Sequence, residues 1–216
     1  MRANDKLEDQ GPTQTISPSL TSGHRRFSLQ LATGTFCFVL SLFFYYGAVL
    51  RIDLKETSFL DLGPHTDAVE YFAQAKSILR YGAPTIQIGY DKLPSRYPAG
   101  YPILMIPWLK VLPERDIILA PFRTNQSIGL LLLLGSFALY LRIGRPLAGG
   151  LAVLLLATQP AFVTYSRSSM SDLSCAAAAV LAFALIYLGL ASRRRWPIYC
   201  AAIVLGLSLC IRPQML

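Results

Sequence analysis

The residues best suited to proton transfer or cation binding are three carboxylates, Asp67, Glu70 and Asp172. Asp67 and Glu70 are three positions apart, so on a helix they project from the same side and could act as a base with its partner or as cation ligands. Asp172 is the only carboxylate after Asp116. A structural interpretation competes with these roles, because Asp67 at an N-cap with Glu70 at N3 resembles a capping box and Asp172 could cap its own helix.

Cationic and aromatic residues could bind an anion on the same side of the protein. Arg96 with Tyr97 and Tyr101 lies in a segment stiffened by prolines. A guanidinium suits phosphate oxygens, and tyrosine suits headgroup depth, although an aromatic belt with an extended arginine explains the same residues. Arg167 either pairs locally with Asp172 or faces an anionic group. The sequence leaves both alternatives open.

No metal site is predicted. His65 stands alone before a helix, which is more typical of a capping or solvent-exposed residue than of a ligand. The cysteines lie inside apolar segments and have neither metal-ligand spacing nor the context of an extracytoplasmic disulfide. They are Cys37, Cys175, Cys200 and Cys210.

The composition predicts an integral membrane protein that positions these residues on transmembrane helices. Of the 216 residues, 53% are hydrophobic and only 15% are charged, against about 25% charged in soluble proteins. The mean hydropathy is +0.44. A crossing helix needs roughly 20 apolar residues. We therefore predict an all-α, polytopic helix bundle of about five spans, at 27–50, 124–141, 147–164, 173–192 and 196–211.

The basic residues predict the orientation of the chain. The net charge is +8, but the arginines cluster beside the spans without the interleaved aromatic residues of a nucleic-acid surface, so we expect no nucleic-acid partner. Counting crossings places three sets on one face, which the positive-inside rule makes cytoplasmic. The sets are Arg25 and Arg26, Arg142 and Arg145, and Arg193, Arg194 and Arg195. Asp67 and Asp172 then share the opposite, extracytoplasmic face.

The chain is predicted to divide into two regions. Residues 1–23 are polar and predict a disordered cytoplasmic tail, and 24–216 form the transmembrane domain. Its extracytoplasmic loop, 51–123, predicts an amphipathic helix at 67–81 ended by Gly82, an irregular segment at 84–96, and an interfacial helix at 101–112. The first span is predicted to be a retained signal anchor. The Asn125-Gln126-Ser127 sequon abuts a span, so we expect no glycan there.

The order of these features resembles the GT-C membrane glycosyltransferases. The features are a first span, an outer loop that opens on an Asp-x-x-Glu-Tyr helix, the segment Tyr97-Pro98-Ala99-Gly100-Tyr101-Pro102, and an Arg-x-x-Met-Ser-Asp turn before the fourth span. The nearest branch is the bacterial enzymes related to protein O-mannosyltransferases and to the aminoarabinose transferase of lipid A. The resemblance covers most of the chain from Phe27 onward.

The resemblance implies transfer of a sugar from a polyprenyl-phosphate donor to a glycan, lipid or protein acceptor, with inversion at the anomeric carbon. Asp67 would be the general base, supported by Glu70 and Tyr71. Asp172 matches the second acidic position. Two arginines, Arg96 and Arg167, would face the lipid phosphate, with Tyr97 and Tyr101 beside it. Ala99 departs from the family pattern, because a second proline is common at that position.

The resemblance also implies where the protein works and what it needs. The site would face the extracytoplasmic side of a bacterial inner membrane. No cofactor is required, although a divalent cation is compatible. Relatives have many more than five spans, so we expect the chain to be an N-terminal fragment. The alternatives are a transporter or flippase component, or a noncatalytic truncated membrane protein. A transporter predicts ionisable residues within the spans, whose interiors contain none.

Overall fold

The computed structural model describes residues 19–51, 66–88 and 91–212, and these are mostly helical. The first helix, α1, spans Ser19–Tyr45 and continues through a π-helical turn, Tyr46–Leu50. Of the predicted tail, 1–18 lie outside the described residues, whereas 19–23 form the first turns of α1. Residues 19–23 and the first predicted span therefore share one helix.

The predicted loop begins with the helix that the sequence indicates. Helix α2 spans Thr66–Tyr81. It ends at Gly82, which has φ +70° and whose amide donates to the carbonyl of Ile78 at 2.9 Å. Glycine adopts this left-handed conformation without steric cost, so the predicted C′ residue is confirmed.

The segment predicted to be irregular is a β-hairpin, and that prediction was wrong. Strand β1, Thr85–Ile88, pairs antiparallel with strand β2, Asp91–Pro94. Three of the four residues of β1 are β-branched, and two residues separate the strands, which is the commonest hairpin connection. The Ser77 and Thr85 hydroxyls, 2.7 Å apart, join this hairpin to α2.

The remaining elements are one helix in the loop region and the helices of the bundle. Helix α3, Gly100–Val111, contains Pro107, and its bounds agree closely with those predicted for the helix at 101–112. A short 3₁₀ helix, Glu114–Leu119, leads into the bundle. The bundle helices are α4 Ala120–Arg142, α5 Pro146–Thr158, α6 Pro160–Ser166, α7 Asp172–Ser192 and α8 Trp196–Leu209.

Three helical stretches in the described part of the chain are long and apolar enough to cross a membrane. They are Arg26–Leu50, Glu114–Arg142 and Asp172–Ser192. The third predicted segment is not one straight helix, because α5 and α6 meet at a bend of 68°. Pro160 lacks an amide hydrogen, and Gln159 before it is extended at ψ 122°, which breaks the helix at that point. With 14 residues, α8 is about 21 Å long and falls short of a full crossing.

The main apolar core joins α1, α4, α5 and α6. The Phe38 and Phe137 rings stack with centroids 4.3 Å apart, and Tyr45, Leu133 and Val153 are buried beside them. A separate apolar cluster lies between α2, α3 and the start of α4. It contains Tyr71, Phe72, Ala75, Tyr101, Met105, Leu109 and Ala120. The two elements of the loop region are therefore packed together around aromatic side chains.

Candidate functional site

Four elements meet around Tyr71, which is buried on α2. Its ring lies 5.0 Å from that of Tyr97 and 5.2 Å from that of Tyr101, centroid to centroid. Its hydroxyl is 3.3 Å from the hydroxyl of Ser171, in the turn before α7. Burial is the main cause that raises the pKa of Tyr71, so the phenol stays protonated at neutral pH. Tyr71 links the loop region to the bundle.

Asp67 lies in the first turn of α2 and accepts a hydrogen bond from a second tyrosine. The Tyr97 hydroxyl donates to Oδ1 of Asp67 at 2.5 Å. This bond is the largest cause that raises the pKa of Tyr97, because the carboxylate disfavours a phenolate beside it. The helix begins at Thr66, so Asp67 is its second residue and the N-cap expectation for Asp67 was wrong.

Glu70, one turn further along α2, is buried, and its carboxylate accepts several hydrogen bonds. Its Oε2 accepts from Nε of Arg96 at 2.9 Å and from Nη2 at 2.8 Å. Its Oε1 accepts from the Arg96 amide at 2.7 Å and from the Ser95 hydroxyl at 3.0 Å. The carboxylate therefore serves a tertiary contact and not a capping box. It also raises the pKa of Arg96.

The Arg96 side chain stays largely exposed to solvent although it pairs with Glu70. Its side chain is 68% exposed, whereas that of Glu70 is 7% exposed. Two of its guanidinium nitrogens, Nε and Nη2, both donate to Oε2 of Glu70. Contact between Arg96 and a lipid phosphate stays a prediction, and it would have to share the guanidinium with Glu70.

Asp172 pairs with Arg212 and not with Arg167. Nη1 of Arg212, which follows α8, donates to Oδ1 of Asp172 at the start of α7. Arg167 is exposed and has no ion-pair partner in the part of the chain that the structure describes. The local pair that the sequence suggested is therefore not formed. Arg212 is 40 residues from Asp172 in the sequence, and its spacing gave no signal of this pairing.

The two acidic positions lie on either side of the same phenol. Asp67 is one turn before Tyr71 on α2, and the Tyr71 hydroxyl is 3.3 Å from that of Ser171, which precedes Asp172. The Asp67 and Asp172 carboxylates both raise the pKa of Tyr71, and Arg212 lowers it, as secondary effects beside burial. The structure thus brings Asp67, Tyr71 and Asp172 into one electrostatic neighbourhood. A carboxylate next to phenols could accept a proton from a bound hydroxyl or amine, and a neighbouring guanidinium could stabilise an anion.

Tyr101, on α3, packs edge-to-face against Tyr71. It is completely buried, and burial raises its pKa. Its hydroxyl lies 3.5 Å from the Pro121 carbonyl. The Gly100 amide donates to the Cys210 carbonyl at 2.8 Å, so the start of α3 is bound to the segment that ends in Arg212. Tyr101 is therefore a buried packing residue beneath Tyr71.

Asn125 is a structural residue whose role the sequence analysis missed. It is completely buried, and its Nδ2 donates to the Ser168 carbonyl at 2.9 Å and to the Met170 carbonyl at 2.7 Å. These bonds fasten the turn before α7 to α4. An asparagine just inside an apolar segment was the available signal. Because this nitrogen is buried and bonded, the expectation of no glycan at Asn125 agrees with the geometry.

The described residues contain no group of three or more histidine, cysteine or carboxylate side chains that could hold a metal ion. His65 lies outside the described residues. Comparisons of the chain with protein families, with curated proteins and with solved structures found no match.

Proposed function

We propose that this protein is a membrane glycosyltransferase of the GT-C type. It transfers a sugar from a polyprenyl-phosphate donor to a hydroxyl or amine of a glycan, lipid or protein, with inversion at the anomeric carbon. The observation that carries the proposal is a chain of contacts between the two acidic positions. The Tyr97 hydroxyl donates to Asp67, the Tyr97 ring packs on that of Tyr71, and the Tyr71 hydroxyl lies 3.3 Å from that of Ser171, the residue before Asp172. The order of sequence motifs supports the same assignment.

The proposal needs four membrane crossings, by α1, by α4, by α5 and α6 together, and by α7. It does not depend on α8, which is too short for a full crossing. Alternation of crossings then places the turns after α4 and α7 on one face. Arg142 and Arg194, from those two turns, line a common groove, which supports this arrangement. Their positive charge makes that face cytoplasmic, so the site lies on the extracytoplasmic side, in a bacterial inner membrane.

In the proposed reaction, Asp67 removes the proton of the acceptor as its oxygen or nitrogen attacks the anomeric carbon. The bond from that carbon to the phosphate oxygen breaks, and the lipid phosphate leaves with the electron pair. Tyr97 holds the Asp67 carboxylate in place through its hydroxyl. Glu70 positions Arg96, whose exposed side faces the departing phosphate with Arg167 as the second cation.

Asp172 has a different proposed role, because its carboxylate is engaged with a guanidinium. The Asp172–Arg212 pair borders Tyr71 and would bind the acceptor or the donor sugar through hydrogen bonds. A nucleotide sugar does not fit this arrangement, since the proposed site faces away from the cytoplasmic nucleotide pool. Polyprenyl phosphate presents its sugar on the required side.

The test measures transfer of radiolabelled sugar from polyprenyl-phosphate mannose or polyprenyl-phosphate aminoarabinose by membranes that contain the protein. We expect Asp67→Asn to lower the rate about 100- to 10,000-fold, the range typical of a lost general base, at unchanged membrane abundance. Asp91→Asn, which removes an exposed carboxylate from β2, is the matched control. Equal rates for both variants, or no transfer by the unaltered protein, would contradict the proposal.

A further inference from the structure

At the end of the bundle that carries the basic turns, two arginines share a groove. Arg142 ends α4, and Arg194 lies in the turn between α7 and α8. Together with Ser192, Trp196 and Pro197 they line a space of about 280 Å³. Both arginines are exposed. Two guanidinium groups held at one opening form a site suited to an anion with several oxygens.

No carboxylate in the described part of the chain neutralises this pair. Neither Arg142 nor Arg194 has an ion-pair partner among those residues. From residue 117 to 216 the sequence contains one acidic residue, Asp172, and it pairs with Arg212 at the start of α7, the opposite end of that helix. An anion that binds in the groove would therefore meet no competing carboxylate from the described residues.

A second groove, lined by apolar side chains, lies further along α4, α7 and α8 from the arginines. It has a volume of about 480 Å³ between α4, α7 and α8, and is lined by Leu139 and Leu181. Leu139 lies one turn from Arg142 on α4, and Leu181 lies one turn from Leu185, which lines the basic groove. The two grooves therefore lie about one turn apart along α4 and α7, and together they are called the furrow. Its positive charge complements an anionic headgroup, and its apolar lining suits a long hydrocarbon chain.

We propose that this furrow binds an anionic phospholipid, with the phosphate between Arg142 and Arg194 and an acyl chain along the apolar groove. Basic pockets between transmembrane helices are suited to such headgroups. Trp196 is 57% exposed beside the arginines. Tryptophan side chains are enriched at the depth of the lipid headgroups. A free phosphate satisfies the arginines but leaves the apolar groove unfilled. The lipid therefore accounts for both parts of the furrow.

The experiment uses Trp196 as the reporter. The chain has two tryptophans, so Trp108→Phe leaves Trp196 as the only one. The protein in neutral detergent is titrated with phosphatidylglycerol or phosphatidylcholine brominated on the acyl chains, and quenching of Trp196 gives the affinity. We expect tighter binding of phosphatidylglycerol. Arg142→Gln with Arg194→Gln should weaken it roughly 25-fold, at about fivefold for each arginine.

Arg145→Gln with Arg193→Gln is the matched control, because it removes the same charge from residues that do not line the groove. This control should change the affinity by less than about threefold, since the lost charge acts only at longer range. Equal weakening by the two double variants would overturn the site in favour of diffuse surface charge. Equal quenching by both lipids, or relief of quenching by inorganic phosphate at concentrations as low as those of the lipid, would overturn the assignment to an anionic lipid.

Discussion

The Tyr97 hydroxyl donates to the Asp67 carboxylate at 2.5 Å, and the preceding residue, Arg96, donates to Glu70, one turn along the same helix. Two adjacent residues after the hairpin are thus held by two carboxylates of α2. The three-residue spacing of the carboxylates makes this double attachment feasible, because it places both on one side of the helix. The attachment fixes the orientation of Asp67 beside Tyr71.

The first prediction concerns the alkaline pH dependence of Tyr97. Its pKa is raised in the folded protein, so the folded state retains the proton over a pH range in which the unfolded state has lost it. The stability contributed by this group is complete below about pH 10, the ordinary tyrosine pKa, and is lost as pH rises through the folded pKa. Tyr97→Phe should therefore lose less stability than the unaltered protein between pH 9 and pH 11, measured by thermal unfolding in detergent.

Asp67→Asn provides the complementary measurement for the same phenol. Because Asp67 is the main cause of the raised pKa, its removal should move the Tyr97 pKa down toward the ordinary value. The difference in tyrosinate absorbance between proteins with and without Tyr97 reports this titration. An unchanged Tyr97 titration in Asp67→Asn would show that the hydrogen bond does not control it.

The second prediction concerns Glu70. Glu70→Gln leaves an amide where a buried carboxylate accepted charged donors, so we expect a loss of about 1–3 kcal/mol in the free energy of unfolding. Hydrogen exchange of the Arg96 amide should become faster, because that amide donates to Oε1 of Glu70. Asp91→Asn on β2 is the control and should leave both quantities unchanged. Equal Arg96 exchange rates in the two variants would refute this role.

The sequence predicted the elements whose signals are local. The apolar segments are helical, and α2 with its Gly82 end was identified because helical periodicity and a left-handed glycine act within a few residues. The hairpin after α2 was missed, since strands of four residues offer too short a pattern to separate from an irregular segment. The bend before Pro160 was missed as well, although proline is a known helix breaker.

The pairing of charges was the least predictable part of the site. Arg167 was the natural partner for Asp172 by proximity in sequence, yet the turn between them is not helical and does not bring them together. Arg212 reaches Asp172 because α7 and α8 pack side by side with their ends level. Such a contact depends on tertiary packing over 40 residues, which spacing alone does not encode.

The third prediction tests that pairing with double-mutant cycles. Asp172 and Arg212 are each about one-third exposed, so solvent screens the pair, and we expect a coupling of about 0.5–1 kcal/mol between Asp172→Asn and Arg212→Gln. The same cycle with Arg167→Gln should give no coupling. Thermal unfolding of the single and double variants in detergent measures both cycles. A larger coupling for Arg167 than for Arg212 would contradict the structural assignment.

The fourth prediction concerns the close approach of α1 and α5. A Cβ atom on Gly34 would overlap the Pro146 carbonyl, and one on Gly150 would overlap the Gly34 carbonyl, so these backbones pack in direct contact. Gly34→Ala should lower the free energy of unfolding by about 1–3 kcal/mol, because backbone atoms must shift. Gly206→Ala on α8 is the matched control, since no atom lies within 4 Å of its added Cβ. Thermal unfolding in detergent compares the two, and a midpoint for Gly34→Ala as high as that of Gly206→Ala would show that the helices separate at little cost.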